Sequence, residues 1–140
     1  MSYDTNNIFA KILRHELPCT KVYEDDHTIA FMDIMPQTDG HVLVVPKEPA
    51  ATLMALSPAG GYAALDTARK IAVALKQALD APGIAIAQMN GEAAGQTVPH
   101  FHIHVIPRHL GVTYRSHASV MADPADLEAT AVKIRKALES

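Results

Sequence analysis

The first half of the chain combines one helical spacing of apolar residues with three runs that favour strands. Residues 7–14 place apolar side chains at helical intervals, which predicts a short amphipathic helix. Residues 20–23 and 28–33 favour strands, and the acidic pair at 25–26 predicts the turn of a hairpin between them. A β-branched run at 41–45 predicts a third strand.

The longest predicted helix follows Ser57 and Pro58, because serine caps helices and proline suits the first helical position. Pro82 and Gly83 are expected to end it. Apolar residues recur within it at intervals of three and four, which predicts one buried face formed by Leu65, Ala68, Ala72, Leu75 and Leu79.

Two further strands are predicted at 84–90 and 100–107, on either side of a polar, glycine-bearing loop at 91–99. A last helix is predicted at 124–138, where Asp123 would cap its start. About five strands with two or three helices, and no alternating βαβ order, favour an α+β fold with an antiparallel sheet.

Composition narrows the classes of protein that fit this pattern. The 140 residues are 49% hydrophobic and 19% charged, which suits one globular domain. A formal net charge of −3 predicts no broad attraction to nucleic acid or to a membrane surface. No stretch predicts a membrane span or a secretion signal. Cys19 is the only cysteine and cannot form an intrachain disulfide, so we expect a reducing, cytoplasmic location.

Histidine is the unusual component. Three of the 8 histidines, His100, His102 and His104, fall within five residues of a predicted strand. Because side chains alternate across a strand, these imidazoles would share one face over roughly 13 Å, and the apolar residues between them would share the other. We expect the apolar face to pack beneath the long helix and the imidazoles to line one open surface.

Three explanations of the histidines compete. A half-exposed strand with chance histidines is disfavoured, because histidine is not a strong strand former. Two imidazoles at alternate positions can converge on zinc, although no cysteine or strand-borne carboxylate lies nearby as a further ligand. The third explanation is covalent catalysis, in which a neutral imidazole attacks phosphorus near neutral pH and departs readily from the phosphoryl adduct.

Several segments resemble one known family. HFHIHVIP at 100–107 resembles the alternating histidine signature of the histidine triad (HIT) superfamily of nucleotidyl hydrolases and transferases. NGEAAGQTVP at 90–99 resembles the loop that leads into that signature. VYEDD at 22–26, AFMDI at 30–34 and GHVLVVPK at 40–47 are similar to the N-terminal half of the family in order and spacing. The resemblance covers about residues 6–108, and the blocks together are highly specific.

The resemblance implies a catalytic role for each of four histidines. His102 matches the middle histidine of the triad, which attacks the α-phosphorus and becomes nucleotidylated. The backbone carbonyl of His100 would orient that ring and hold its proton on Nδ1, which leaves Nε2 to attack. His104 matches a donor to an α-phosphate oxygen, and His41 matches an outlying histidine that also contacts the phosphate.

The resemblance also implies a nucleotide pocket. Asp33 matches a carboxylate that binds the ribose hydroxyls, and Asn90 matches a residue that contacts the ribose or the phosphate. Thr97 matches a hydroxyl near the scissile bond, and the backbone from Gln96 to Val98 would border the leaving group. The residues implied for the base pocket, most of which the pattern alone places in the core, are Ile8, Phe9, Ile12, Leu17, Phe31, Ile34 and Leu43.

The departures from the family are equally specific. Many bacterial members hold a structural zinc ion with a Cys-x-x-Cys pair and two histidines. Here the cysteine positions hold Asn7 and Ala10, and residues 46–49 lack the usual histidine, so we expect no metal and no cofactor. The resemblance fades after residue 108, and 109–140 are expected to form a C-terminal extension with a helix.

Together these features predict a single HIT domain over residues 1–140, with a five-stranded antiparallel sheet, one long helix and short flanking helices. Relatives form homodimers, so we expect a homodimer. The expected activity is two-step hydrolysis at the α-phosphate of a purine nucleotide, with nucleoside phosphoramidates as the leading substrates. Dinucleoside polyphosphate hydrolysis is the alternative within this chemistry. A purine-nucleotide binding module without turnover is the alternative of a different class.

Overall fold

Five strands form one antiparallel sheet in the order β1-β2-β3-β5-β4. The structure is a computed structural model that describes residues 2–116 and 118–140. The strands are β1 (Lys21–Glu24), β2 (Thr28–Met32), β3 (Val42–Pro46), β4 (Gly83–Ala87) and β5 (Ile103–Arg108). The helices are α1 (Ile8–Leu13), α2 (Pro58–Leu79) and α3 (Pro124–Leu138), with short 3₁₀ turns at Leu53–Ala55 and Glu92–Ala94. The predicted α+β class is confirmed.

Helix α2 covers one face of the sheet with a stripe that differs from the predicted one. Its buried residues are Ala64, Thr67, Ala68, Ile71, Ala74 and Leu75. Leu65, which the spacing placed on the buried face, is 61% exposed. Thr67 is buried instead, because its hydroxyl pairs with that of Thr28 at 2.7 Å. The buried face of α2 therefore includes a polar residue, Thr67, which a prediction from the spacing of apolar residues alone could not include.

Strand β5 begins later than predicted. The chain bends over 98–100, where the N–H of His100 donates to the carbonyl of Val98, and the ladder with β3 includes Ile103 and His104. Phe101, Ile103 and Val105 nevertheless pack in the core beside α2, as the alternation predicted.

The opposite face of the sheet is covered by α1. Asn7 caps this helix by accepting the N–H of Ala10 on its side-chain oxygen at 2.9 Å. Phe9 and Ile12 of α1 then pack with a second apolar cluster from β2 and β3, which contains Ile29, Phe31, Leu43 and Val45. This second face is the one that carries the histidines.

The C-terminal extension packs onto the domain. Asp123 caps α3 as predicted, and Leu127, Ala131 and Ile134 are buried in the core cluster of α2. Within residues 2–116 and 118–140, no helix combines the length and apolar character needed to cross a membrane.

Candidate active site

The imidazole of His102 is fixed by the backbone that precedes it. Its Nδ1 lies 2.7 Å from the carbonyl oxygen of His100. Since a carbonyl only accepts, Nδ1 carries the proton and the lone pair of the neutral ring lies on Nε2. The ring of Phe9 packs edge-on against His102, with centroids 4.9 Å apart. His102 therefore has the tautomer that a nitrogen nucleophile requires.

The ring of His100 is buried and engaged at both nitrogens. Nε2 lies 2.8 Å from the carbonyl oxygen of Pro46 and so carries the proton, while Nδ1 lies 2.7 Å from the hydroxyl of Tyr3. Burial lowers the pKa of the His100 imidazole, and the hydrogen bond to Pro46 opposes this only in part. At neutral pH this ring is neutral, and its backbone carbonyl serves His102.

A second pair of imidazoles lies beside the first. Nδ1 of His41 accepts the backbone N–H of Gln37 at 3.0 Å, so Nε2 of His41 carries the proton. Nδ1 of His104 lies 2.9 Å from that nitrogen, and Oδ2 of Asp33 lies 3.4 Å from it. With its Nδ1 accepting, neutral His104 carries its own proton on Nε2. The backbone N–H of Gln37 thus fixes the proton of His41 on Nε2, and this in turn leaves the proton of neutral His104 on its own Nε2, where it can be donated.

A largely apolar cavity of about 440 Å³ lies between α1 and the histidine-bearing face of the sheet. His102, His104 and Asp33 contribute its polar wall. The other predicted site residues that line it are Ile8, Phe9, Ile12, Leu17, Phe31, Ile34, Leu43, Thr97 and Val98. An apolar compartment beside a carboxylate and two imidazoles has the chemistry to hold a planar base next to hydroxyl and phosphate groups.

The imidazoles do not form the open surface that the strand pattern predicted. The exposed fractions of His100, His102 and His104 are 0%, 5% and 2%. Tyr3 and Phe9, from the start of the chain, pack edge-on against the first two of these rings. Of these three rings, those of His102 and His104 line the cavity.

Comparison with known proteins identifies the family. The model of the HIT domain matches residues 14–111 of the chain. This chain belongs to the HIT family. Protein hit of Bacillus subtilis (strain 168) is 36% identical over an alignment of 140 positions, which covers 96% of each chain. The adenosine 5'-monophosphoramidase hnt1 of Schizosaccharomyces pombe is 38% identical over 101 residues, or 72% of this chain and 73% of its own length.

A solved structure extends this result to the fold. The Hit-like protein of Bartonella henselae, described as involved in cell-cycle regulation, has a TM-score of 0.91 at 45% identity. The match covers 97% of this chain and 99% of that one. Both the family resemblance and the HIT fold predicted from the sequence are confirmed. Since the match includes nearly the whole chain, it extends well beyond the histidine segment.

Gln96 and Asn90, two pocket residues predicted in the loop at 90–99, are not among the residues that line the cavity. The side chain of Gln96 is buried, accepts the N–H of Gly91 and donates to the carbonyls of Ala51 and Val98. Asn90 accepts the N–H of Leu53 at 2.7 Å and pairs with Gln88. In this geometry both side chains hold the loop together, and the loop in turn places Thr97 and Val98 on the wall.

His41 stays a predicted phosphate contact, which the structure does not test. It is fully buried and lies behind His104, outside the described wall of the cavity. A phosphate in the cavity would meet His104 first. In this geometry His41 contacts His104 and places the proton of that ring on Nε2.

Several residues at the cavity or beside the histidines carried no sequence signal. The wall also includes Pro18, Cys19, Met32, Met35 and Ala118. Gln37 acts through its backbone N–H, which any residue except proline supplies. Tyr3 lies in a polar run ahead of α1, where neither periodicity nor the resemblance marks it.

Among the residues that the structure describes, Asp33, His41 and His104 form a group that could hold a metal ion. One ligand atom from each lies within 4.8 Å of the others. A cation there would have to displace the proton that His41 presents to His104, because the backbone of Gln37 occupies Nδ1 of His41. Asn7, at one of the zinc-binding cysteine positions of HIT relatives, is engaged in capping α1. The absence of a resident metal remains a prediction.

Proposed function

We propose that this chain is a nucleotidyl hydrolase that cleaves purine nucleoside phosphoramidates, with His102 as the nucleophile. The observation that carries the proposal is the 2.7 Å contact between Nδ1 of His102 and the carbonyl of His100. It assigns the lone pair to Nε2 of a histidine that lines the cavity. The name of the relative hnt1, an adenosine 5'-monophosphoramidase, supports phosphoramidates as the substrate class.

In the first proposed step, Nε2 of His102 attacks the α-phosphorus and the bond between phosphorus and the leaving amine breaks. The amine departs with that electron pair and takes a proton from water. The nucleotidyl group stays on Nε2, while the proton on Nδ1 remains bonded to the carbonyl of His100. Water then attacks the same phosphorus and passes one proton to the hydroxide left by the first step. The bond to Nε2 breaks, its electron pair returns to Nε2, and the nucleoside monophosphate is released. Inversion in each step gives net retention at phosphorus.

The neighbouring groups have separate tasks in this proposal. The Nε2–H of His104 donates to an α-phosphate oxygen and stabilises the charge gained in the transition state. Asp33 accepts hydrogen bonds from the ribose hydroxyls, and the apolar wall holds the purine. Thr97 and the backbone around it border the leaving group.

A substrate panel tests the proposal. Initial rates are measured on an AMP–amine phosphoramidate and on diadenosine tetraphosphate, with His102→Ala and His109→Ala variants beside the unmodified protein. His109 is an exposed histidine and provides the matched control. The proposal is supported if the phosphoramidate is cleaved faster than diadenosine tetraphosphate, and if His102→Ala abolishes this activity while His109→Ala retains it. Faster cleavage of diadenosine tetraphosphate would support the alternative hydrolase. AMP binding without hydrolysis of any α-substituted AMP would indicate a binding module.

We also propose that the chain forms a homodimer across β4 and α2, and that it works in the cytoplasm. Strand β4 is an edge of the sheet, and Ile86 on it is 51% exposed. Leu65 and Val73 of α2 are 61% and 50% exposed, so apolar side chains project on a second surface of the helix. Light scattering of the unmodified protein and of Ile86→Lys would test the dimer, which the lysine should weaken.

A further inference from the structure

Tyr3 reaches the histidine segment from the start of the chain. Its hydroxyl lies 2.7 Å from Nδ1 of His100. Its half-buried ring packs edge-on against the imidazole of His100, with centroids 5.5 Å apart. The contact therefore combines a directed hydrogen bond with ring packing.

The direction of this hydrogen bond follows from the other nitrogen of His100. Nε2 lies 2.8 Å from the carbonyl oxygen of Pro46. If Nδ1 carried the proton of the neutral ring, Nε2 and that carbonyl would face each other with lone pairs at hydrogen-bond distance. The proton is therefore on Nε2, and the hydroxyl of Tyr3 donates to Nδ1. Each nitrogen of the buried ring thus has a defined partner.

The segment that carries Tyr3 is held in place by hydrogen bonds of its own. The side-chain amide of Asn7 donates to the carbonyl of Asp4 at 2.7 Å, while its oxygen caps α1. Arg14, at the end of α1, donates to the carbonyl of Thr5 at 2.7 Å. These contacts tie the residues around Tyr3 to the helix that also presents Phe9 to His102.

We propose that Tyr3 is a positioning residue for the nucleophile, a proposal that rests on the proposed role of His102. The hydroxyl of Tyr3 and the carbonyl of Pro46 fix the ring of His100 from its two sides. The carbonyl of the same residue holds the proton on Nδ1 of His102. Tyr3 therefore acts on the lone pair at Nε2 of His102 through one intervening residue.

Loss of the hydroxyl leaves a buried imidazole nitrogen without its donor. Such a nitrogen is satisfied only if the ring turns, if water enters, or if the nitrogen takes a proton. Each response changes the position, the hydration or the charge of the His100 ring, and we expect it to weaken the hydrogen bond that Nδ1 of His102 donates to the carbonyl of His100. His102 then spends part of its time in the other tautomer, in which Nε2 carries the proton and cannot attack.

The test compares Tyr3→Phe with Tyr3→Leu, Tyr62→Phe and His102→Ala in the full chain. Tyr3→Phe removes only the hydroxyl, and Tyr3→Leu removes the aromatic ring as well. Tyr62, 75% exposed on α2, is the matched tyrosine control. The measurements are kcat and KM on an AMP–amine phosphoramidate, the thermal midpoint, and the His102 tautomer. The tautomer is obtained from ¹⁵N NMR of the imidazoles without substrate.

For Tyr3→Phe, we expect kcat to fall about three- to tenfold, the range expected for one lost buried hydrogen bond. KM should stay within about twofold, because Tyr3 is not among the residues that line the cavity. The His102 spectrum should change from the Nδ1–H form to a mixture of tautomers. Tyr62→Phe should change none of these values. An unchanged kcat, or a lower kcat with an unchanged His102 tautomer, overturns the inference.

The proposed function has its own outcome in the same experiment. Full turnover by His102→Ala would contradict the role of the nucleophile, while the tautomer shift in Tyr3→Phe could still be measured. If His102→Ala is inactive and Tyr3→Phe matches the unmodified protein, only the role of Tyr3 fails. Tyr3→Leu separates the hydrogen bond of the Tyr3 hydroxyl from the packing of its ring. A large loss of thermal stability in Tyr3→Leu, but not in Tyr3→Phe, would show that the ring contributes to stability through packing.

Discussion

Nε2 of His41 lies 2.9 Å from Nδ1 of His104, and the two rings are tilted by 52° with centroids 5.1 Å apart. The contact joins the residue just before β3 to a residue within β5. Because Gln37 donates to the far nitrogen of His41, this contact determines which nitrogen of His104 carries the proton. The buried side chain of His41, which does not line the cavity, thus places the proton of His104 on Nε2, and His104 does line the cavity.

The role of His41 can be tested by retaining or removing its donor. His41→Phe should lower kcat about tenfold, because Nδ1 of His104 loses a buried hydrogen-bond donor. His41→Gln retains an amide N–H that can reach toward the same nitrogen, so it should lose less. Steady-state kinetics and thermal unfolding of both variants give the comparison. Equal losses in kcat at equal stability would mean that the donor is irrelevant.

Asp33 should govern selectivity for ribose. Its Oδ1 accepts the N–H of Met35 at 2.8 Å, and its carboxylate lies on the cavity wall. Asp33→Asn keeps an acceptor for Met35 but removes the charge that strengthens hydrogen bonds from the ribose hydroxyls. We expect the preference in kcat/KM for an adenosine over a 2'-deoxyadenosine phosphoramidate to fall about tenfold. A preference that survives the substitution would remove Asp33 from ribose recognition.

Turnover should withstand removal of divalent metal ions. Asp33, His41 and His104 are close enough to bind a cation, yet His41 and His104 share a proton in a hydrogen bond whose direction Gln37 determines. We expect equal kcat before and after dialysis against a chelator, and elemental analysis with less than one zinc ion per chain. Loss of activity on chelation, restored by zinc, would show that the group holds a metal.

Glu24 should contribute to stability in a pH-dependent way. Hydrogen bonds from Lys21, at 2.8 Å, and then from Lys47 lower the pKa of Glu24 from 4.5 to about 2. Since the folded state has the lower pKa, the contribution is complete above the ordinary carboxyl pKa and is lost as the pH falls towards 2.

Glu24→Gln should therefore lower the thermal midpoint at neutral pH, and the difference should shrink on acidification below the ordinary pKa of glutamate. The effect should be small, because exposed ion pairs typically contribute about 1 kcal/mol or less. Glu139→Gln, at the exposed end of α3, is the control and should show no such trend. A difference between Glu24→Gln and the unmodified protein that is constant with pH would contradict the assignment.

The fold was largely predictable, because strand alternation and capping residues are local signals. Ser57 and Asp123 cap α2 and α3 as predicted. The buried face of α2 was partly wrong, because Thr67 is buried by a hydroxyl pair with Thr28, a partner distant in sequence. The start of β5 was wrong because the local bend at 98–100 overrides the strand pattern.

The candidate site was predictable where side-chain identity carries the chemistry. His102, His104 and Asp33 fall in this class and meet at one cavity. Tyr3 and the backbone of Gln37 do not, because each acts on a histidine through a contact that only the fold creates. The burial of the triad had no local signal either, since it depends on residues at the start of the chain that pack over that face.

The most direct test of the account is detection of the covalent intermediate. The protein is mixed with an AMP–amine phosphoramidate, quenched within one turnover and analysed by intact-mass and peptide mass spectrometry under neutral conditions. We predict an acid-labile adenylyl group on the peptide that contains His102. It should be absent from His102→Ala and present in His109→Ala. Turnover at the full rate with no adenylylated peptide at any quench time, or with the adenylyl group on another residue, would contradict nucleophilic catalysis by His102.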